Sequence, residues 1–201
     1  MTTHIRYADL AVYAAHCGFW GAFVTARLAS RQKGRSESDG PVSQEKRTAK
    51  YSRLLLVVHC AAFAVMYSGI AVAVFSERVP IWFAGQRLTG AVIIGVGAAL
   101  AASAVLYFRS WRFRATVSEG HQLATGGPFA VLRHPIYMGL NLLALGSAFW
   151  IPSPVVWAGF VLMLVGGDLR GRAEEALLAD TFGSEYLAYR EKTWRFIPWI
   201  Y

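Results

Sequence analysis

Two short stretches of this chain combine residue types that could hold a charged small molecule. The first, GGPFAVLRHPIYMG, spans residues 126–139. Pro135 suits the first turn of a helix because it has no N–H to leave unpaired there. Proline also pushes His134 out of the helical region, which puts the imidazole at the cap. The first N–H groups of such a helix lack internal partners and carry partial positive charge, a setting that favours a carboxylate. Gly139, one turn further on, permits close backbone approach. A plain interfacial helix start accounts for the same residues, since Arg, His and Tyr are common at headgroup depth.

The second stretch, RGRAEEALLADTFGSEYLAYR, spans residues 170–190. Arg170 and Glu174 are four apart and share a helix face. Glu174 and Glu175 are adjacent carboxylates beside an apolar segment, and charges so close to lipid need partners. A ligand with a cationic amino group and hydroxyls would supply them. An ordinary Arg170–Glu174 ion pair would as well. Leu177, Leu178, Phe182, Tyr186 and Tyr189 follow as an apolar stripe at helical spacing, which reads as packing or interfacial docking.

The elements that position these residues are apolar. Of 201 residues, 55% are hydrophobic and 16% charged, against about 25% charged in soluble domains. That balance marks an all-α, polytopic membrane protein. Three stretches, Ala8–Ala29, Leu54–Phe75 and Leu88–Phe108, approach the roughly 20 residues a crossing helix needs. Two shorter ones, Ile136–Trp150 and Val155–Gly167, flank an Ile-Pro-Ser-Pro turn and read as a tight helical hairpin, either two short crossings, the favoured reading, or a re-entrant pair. The net charge of +8 falls in blocks between the apolar stretches, as membrane topology requires and nucleic-acid binding does not. Basic residues crowd the first loop (30–53), the loop after the third helix and the C-terminal segment. Arg6, Arg78 and Arg87 are left for the other side. The positive-inside rule then gives about five helices, N-terminus outside and C-terminus cytoplasmic. The hairpin returns the chain to the face it left, so His134 and Glu174 share one side of the membrane.

Other features read as structural. Asp9, His16 and the missing cleavage site argue against a cleavable signal peptide. Arg31–Lys50 reads as a flexible loop. Gly90, Gly95 and Gly97 sit inside an apolar span with no preceding strand, so they serve helix packing rather than dinucleotide binding. His16 and His59 read as satisfied packing residues. Cys17 and Cys60 read as buried small hydrophobes. No spacing suggests a metal site.

The ordered pattern of a Gly-Pro-aromatic turn, RHP-x-Y-x-G, a hydrophobic hairpin, R-x-R-x-E-E-x-x-L and F-G-x-x-Y-x-x-Y ending near Ile-Pro resembles the isoprenylcysteine carboxyl methyltransferases. Related phospholipid and membrane thiol methyltransferases share parts of it. The resemblance covers residues 114–201 and implies an integral membrane enzyme that uses S-adenosylmethionine and releases S-adenosylhomocysteine. It implies cofactor contacts from His121, Gln122, Leu123 and Ala124, from His134, Pro135, Ile136 and Tyr137, and from Glu174. Phe129 occupies an aromatic position that is usually Tyr in the family, so stacking is kept and a hydroxyl is lost. Arg170 matches the residue beside the acceptor carboxylate. The resemblance further implies a lipophilic acceptor, prenylated or small, entering from the bilayer among membrane lipids. The short chain looks like a prokaryotic member in the plasma membrane. Residues 1–110 then form three N-terminal helices and residues 111–201 the methyltransferase core. Without a convincing general base, although Asp168 and Glu175 stay open, carboxyl methylation is favoured over N-, S- or phenol O-methylation. A transporter or scaffold is the remaining alternative.

Overall fold

In lipid each backbone N–H and C=O must be paired within its own segment, so long apolar stretches fold as helices. A computed structural model describes residues 7–36, 47–48, 51–76, 79–107, 116–117 and 123–201 and shows this outcome. Five long helices follow one another: α1 (Tyr7–Ser36), α2 (Ser52–Phe75), α3 (Gln86–Tyr107), α4 (Pro135–Trp150) and α5 (Pro154–Phe182). A 3-10 turn, Gly127–Ala130, leads into α4, and a short α6 (Ser184–Glu191) follows α5. Two-residue strands, β1 (Arg47–Thr48) and β2 (Thr116–Val117), pair antiparallel and tie the loop before α2 to the one after α3. The protein is an all-α integral membrane protein.

Among the described residues, 3 helices are long and apolar enough to cross a membrane: Arg53–Phe75, Gln86–Tyr107 and Pro154–Phe182. Helix α1 has 30 residues but is more polar. The hairpin is unequal. Helix α4 has 16 residues, about 24 Å of helix against a hydrocarbon core of roughly 30 Å. Helix α5 runs for 29 residues, so its apolar first half continues into a charged second half.

Successive helices run in opposite directions. The Asp9 carboxylate near the start of α1 accepts a 2.7 Å bond from Arg87 at the start of α3. The end of α2 meets the start of α5, where Gly69 faces Val155 and Val156. Trp82 stacks on Trp157 at 6.2 Å, with Phe149 and Phe160 beside Trp157, giving this end an aromatic girdle suited to an interface. The opposite end gathers the 3-10 turn, the start of α4, the charged half of α5, α6 and the C-terminus.

Small residues let the helices close. A methyl carbon on Gly90 would lie 2.6 Å from the carbonyl oxygen of Gly146, and one on Gly97 would lie 2.7 Å from that of Gly139. Such spacing leaves no room for a side chain, so α3 and α4 touch backbone to backbone. The same holds for α5 on α2, where Gly159 faces the Met66 backbone at 2.8 Å. The packing role expected of Gly90 and Gly97 is therefore met. Gly95 has open space beside it.

His16 is a satisfied packing residue, as expected: its ring nitrogens lie 2.9 Å from the Tyr67 hydroxyl and 2.8 Å from the Ser147 hydroxyl. The cysteines differ from expectation. Cys17 and Cys60 are both on the outer surface of the bundle. A helix apolar all round gives its sequence no marker of which face turns inward, and these two face away from the core.

Gly97→Val should force α3 off α4. Overpacking at such a contact costs about 1–3 kcal/mol. A thermal unfolding scan in detergent should show a lower midpoint for Gly97→Val, while Gly95→Val leaves it unchanged.

Candidate functional site

The charged end is organised by backbone pairing before any side chain is considered. Residues 131–134 run beside 193–196 as a parallel bridge centred on Leu132 and Trp194. The Arg133 N–H donates to the Trp194 carbonyl at 2.7 Å, the His134 N–H to the Arg195 carbonyl at 3.3 Å, and the Trp194 N–H to the Val131 carbonyl at 3.1 Å. Gly183 makes this return possible. It joins α5 to α6 with φ of 53° and ψ of −125°, a conformation that only glycine adopts cheaply. Tyr186 on α6 is buried, and the Tyr189 hydroxyl donates to the Phe129 carbonyl at 2.7 Å. The expected apolar stripe thus serves packing and is shared between two helices.

Glu175 sits at the centre of this end. Its side chain is 7% exposed. Arg195 grips it through two nitrogens at 2.8 and 2.7 Å, Arg133 Nε donates at 2.9 Å, and His134 Nε2 lies 3.2 Å away. Arg133 also donates to the Thr193 carbonyl and to the Arg190 carbonyl. Asp168 is held similarly by Arg172 at 2.7 Å, Arg195 at 3.2 Å and the Tyr201 hydroxyl at 2.8 Å. Carboxylates engaged this fully are structural, and neither suits the role of general base that the sequence left open.

Glu174 points elsewhere. The Tyr137 hydroxyl donates to it, His134 Nδ1 lies 3.6 Å from one oxygen, and Arg170 Nη2 lies 3.9 Å from the other. Its side chain is 21% exposed, three times the exposure of Glu175, so it keeps an edge for a further partner. The His134 and Tyr137 rings stack at 5.7 Å, and the Arg170 guanidinium lies 5.0 Å over the Tyr137 ring. Gly171 lets α5 pass the His134 ring, which a methyl carbon there would approach to 3.3 Å.

The structure therefore brings together His134, Tyr137, Arg170 and Glu174, as topology predicts. Pro135 and Ile136 are buried in the first turn of α4. Leu123 and Ala124 are half-buried ahead of the 3-10 turn, with Ala124 packed against the core. His121 and Gln122 lie outside the described residues. Phe129 is buried with its ring 6.2 Å from that of Tyr107. It packs on Tyr107 at this end and is not one of the four side chains that meet at Glu174. The sequence reading missed Arg133, Arg195 and Tyr201. Their basic and aromatic character was visible, but the long-range pairing that gives it meaning was not.

His134 is enclosed, and burial alone would lower its pKa. Hydrogen bonds and charge from Glu174 and Glu175 outweigh that, and the net shift is upward from 6.5. A folded pKa above the unfolded one stabilises the fold fully below the unfolded value, and that contribution is lost as pH rises through the folded value. The unfolding midpoint in detergent should therefore fall as pH is raised above 6.5, with a shallower fall in His134→Gln. Equal slopes would mean that His134 is not the imidazolium this geometry implies.

Known proteins resemble this chain over the same region. Residues 86–185 match the family model described as phospholipid methyltransferase. A rice protein named as a probable protein-S-isoprenylcysteine O-methyltransferase is 29% identical over 69% of this chain and 74% of its own length. The human protein-S-isoprenylcysteine O-methyltransferase is 33% identical over 41% of this chain and 30% of its own. The fission yeast enzyme of that name, from Schizosaccharomyces pombe, is 37% identical over 41% and 36%. All-α membrane architecture, paired motifs meeting at one end and these similarities converge, and the chain belongs to the integral membrane methyltransferases of the isoprenylcysteine carboxyl methyltransferase and phospholipid methyltransferase family.

Proposed function

We propose that this methyltransferase uses S-adenosylmethionine to esterify a carboxylate on a lipophilic, isoprenylcysteine-like acceptor. The observation that carries the reading is the division between two adjacent carboxylates: Glu175 is consumed by structural cations, whereas Glu174 is held by Tyr137 and His134 with one edge accessible. That edge fits the cationic amino group of a methionine moiety. The start of α4, with Pro135 at its first position, suits the moiety's carboxylate. Leu123, Ala124, His121 and Gln122 are proposed for the nucleoside, with Pro135, Ile136 and Phe129 shaping the same end. When bound, S-adenosylmethionine supplies an electrophilic methyl group, and an ionised carboxylate takes it with no proton to remove.

Arg170 is the acceptor-side residue in this reading. It is buried, lies over Tyr137 beside Glu174, and its fork can orient both carboxylate oxygens. Positioning two reactants in a dry site is what the protein contributes. The basic loops support a cytoplasmic position for this end; in this reading the protein sits in a prokaryotic plasma membrane, the cofactor enters from water and the acceptor from the bilayer. S-adenosylhomocysteine leaves by the cytoplasmic route.

The family model's own description favours a second reading, N-methylation of an amine phospholipid headgroup. Purified protein incubated with methyl-labelled S-adenosylmethionine and membrane extract separates the two. Base-labile counts are expected; base-stable counts would establish N- or S-methylation instead. Glu174→Ala should raise the KM for S-adenosylmethionine about tenfold or more, the loss of a charged hydrogen bond. Arg170→Ala should cut turnover by a similar factor and leave that KM unchanged.

A further inference from the structure

One part of the bundle interior does not follow the packing rule of the rest. Close contacts at Gly90, Gly97, Gly139, Gly146 and Gly159 put a methyl carbon within 3.0 Å of neighbouring atoms. Gly166 and Gly167 on α5 are different. A methyl carbon on Gly166 would lie 3.4 Å from His59 Nδ1, and one on Gly167 would lie 3.6 Å from Asn141 Oδ1. Both are ordinary van der Waals distances. At this level α5 is not pressed onto α2 or α4, although glycine would allow it.

The side chains facing these two glycines are polar and unpaired. His59 on α2 is 3% exposed, and neither ring nitrogen has a hydrogen-bond partner. Asn141 on α4 is 3% exposed, and its carboxamide oxygen meets no donor. Successive residues of a helix point about 100° apart, so Gly166 faces α2 while Gly167 faces α4. Tyr137 links the two sides: its ring centroid is 5.9 Å from that of His59, and its Cβ lies beside Gly167. Arg170 and Glu174, about one and two turns further along α5, are the charges that act on His59. His16, the other histidine buried in the bundle, differs in that both of its nitrogens are satisfied.

We propose that His59 and Asn141 line the inner part of the acceptor site, below Arg170, and read an amide beside the acceptor's carboxylate. This rests on the carboxyl-methylation reading. An unpaired buried polar atom costs free energy that a ligand can return. Asn141 Oδ1 accepts only, so it calls for an N–H. A neutral imidazole has one donor and one acceptor nitrogen, which complements an amide C=O and N–H. A simple lipid acid offers oxygen acceptors and no N–H once ionised. An N-acylated S-isoprenylcysteine, a lipidated amino acid or peptide end, offers both. His59 and Asn141 are positioning residues: they select and orient the acceptor and exchange no proton with it.

The test compares two acceptors in nanodiscs containing the full chain: N-acetyl-S-farnesylcysteine and S-farnesylthiopropionic acid, which keeps the thioether and carboxylate but lacks the amide. The wild type should prefer the first by about tenfold or more in kcat/KM, as a site that hydrogen-bonds a substrate group rejects the analogue without it. Asn141→Leu and His59→Leu should each bring the two acceptors near parity through the KM of the amide-bearing one, with the KM for S-adenosylmethionine unchanged. His59→Asn, which restores a donor and an acceptor, should recover part of the preference. Equal use of both acceptors by the wild type, a result that needs no variant, overturns the inference while leaving carboxyl methylation intact. So does an equal loss on both acceptors in the Leu variants. If the wild type methylates neither carboxylate, the functional reading falls and this inference with it.

Discussion

Taking the Glu175 carboxylate out of water costs several kcal/mol unless other charges replace its hydration. Here Arg195 and Arg133 do so directly, with His134 at 3.2 Å. These partners come from two other parts of the chain, the residues before α4 and the C-terminal segment, so Glu175 joins both to α5. The carboxylate therefore acts as a clasp that closes the C-terminal segment over the start of α4. Backbone bonds between 131–134 and 193–196 fix the register of that closure. Removing any one cation would leave a buried charge under-compensated, which is more damaging than losing a surface ion pair.

The clasp leaves the neighbouring residue free for other work. Because Glu175 faces inward on α5, Glu174 is turned about 100° away toward Tyr137 and the accessible edge. His134 bridges the two, with Nε2 near Glu175 and Nδ1 near Glu174. A histidine positioned this way transmits the rigidity of the clasp to the cluster that carries the proposed chemistry. Behind it, the close α3–α4 contact at Gly97 and Gly139 sets where α4 begins, and so where His134 and Tyr137 lie.

Much of this was legible in the sequence because it depends on local chemistry. Pro135 announced the start of α4, the apolar stretches announced helices, and the return of the hairpin put His134 and Glu174 at one end. The motif resemblance correctly identified the family. What stayed hidden depends on contacts distant in sequence. Arg195 pairs with Glu175 across 20 residues, and nothing in Trp-Arg-Phe-Ile-Pro announces a partner. Cys17 and Cys60 were placed inside because an apolar helix does not declare its inward face. His16 and His59 looked alike as lone histidines in apolar spans, and only the structure shows that one is paired and the other is not.

The central claim is that the charged end, between the start of α4 and the second half of α5, is the cofactor site. Hydrogen–deuterium exchange on the protein in nanodiscs, with and without S-adenosylhomocysteine, tests it by location. The account predicts slower exchange confined to peptides covering 121–138 and 168–178, with the aromatic end around Trp82 and Trp157 unchanged. No ligand-dependent protection, or protection that falls elsewhere in the bundle, would contradict it.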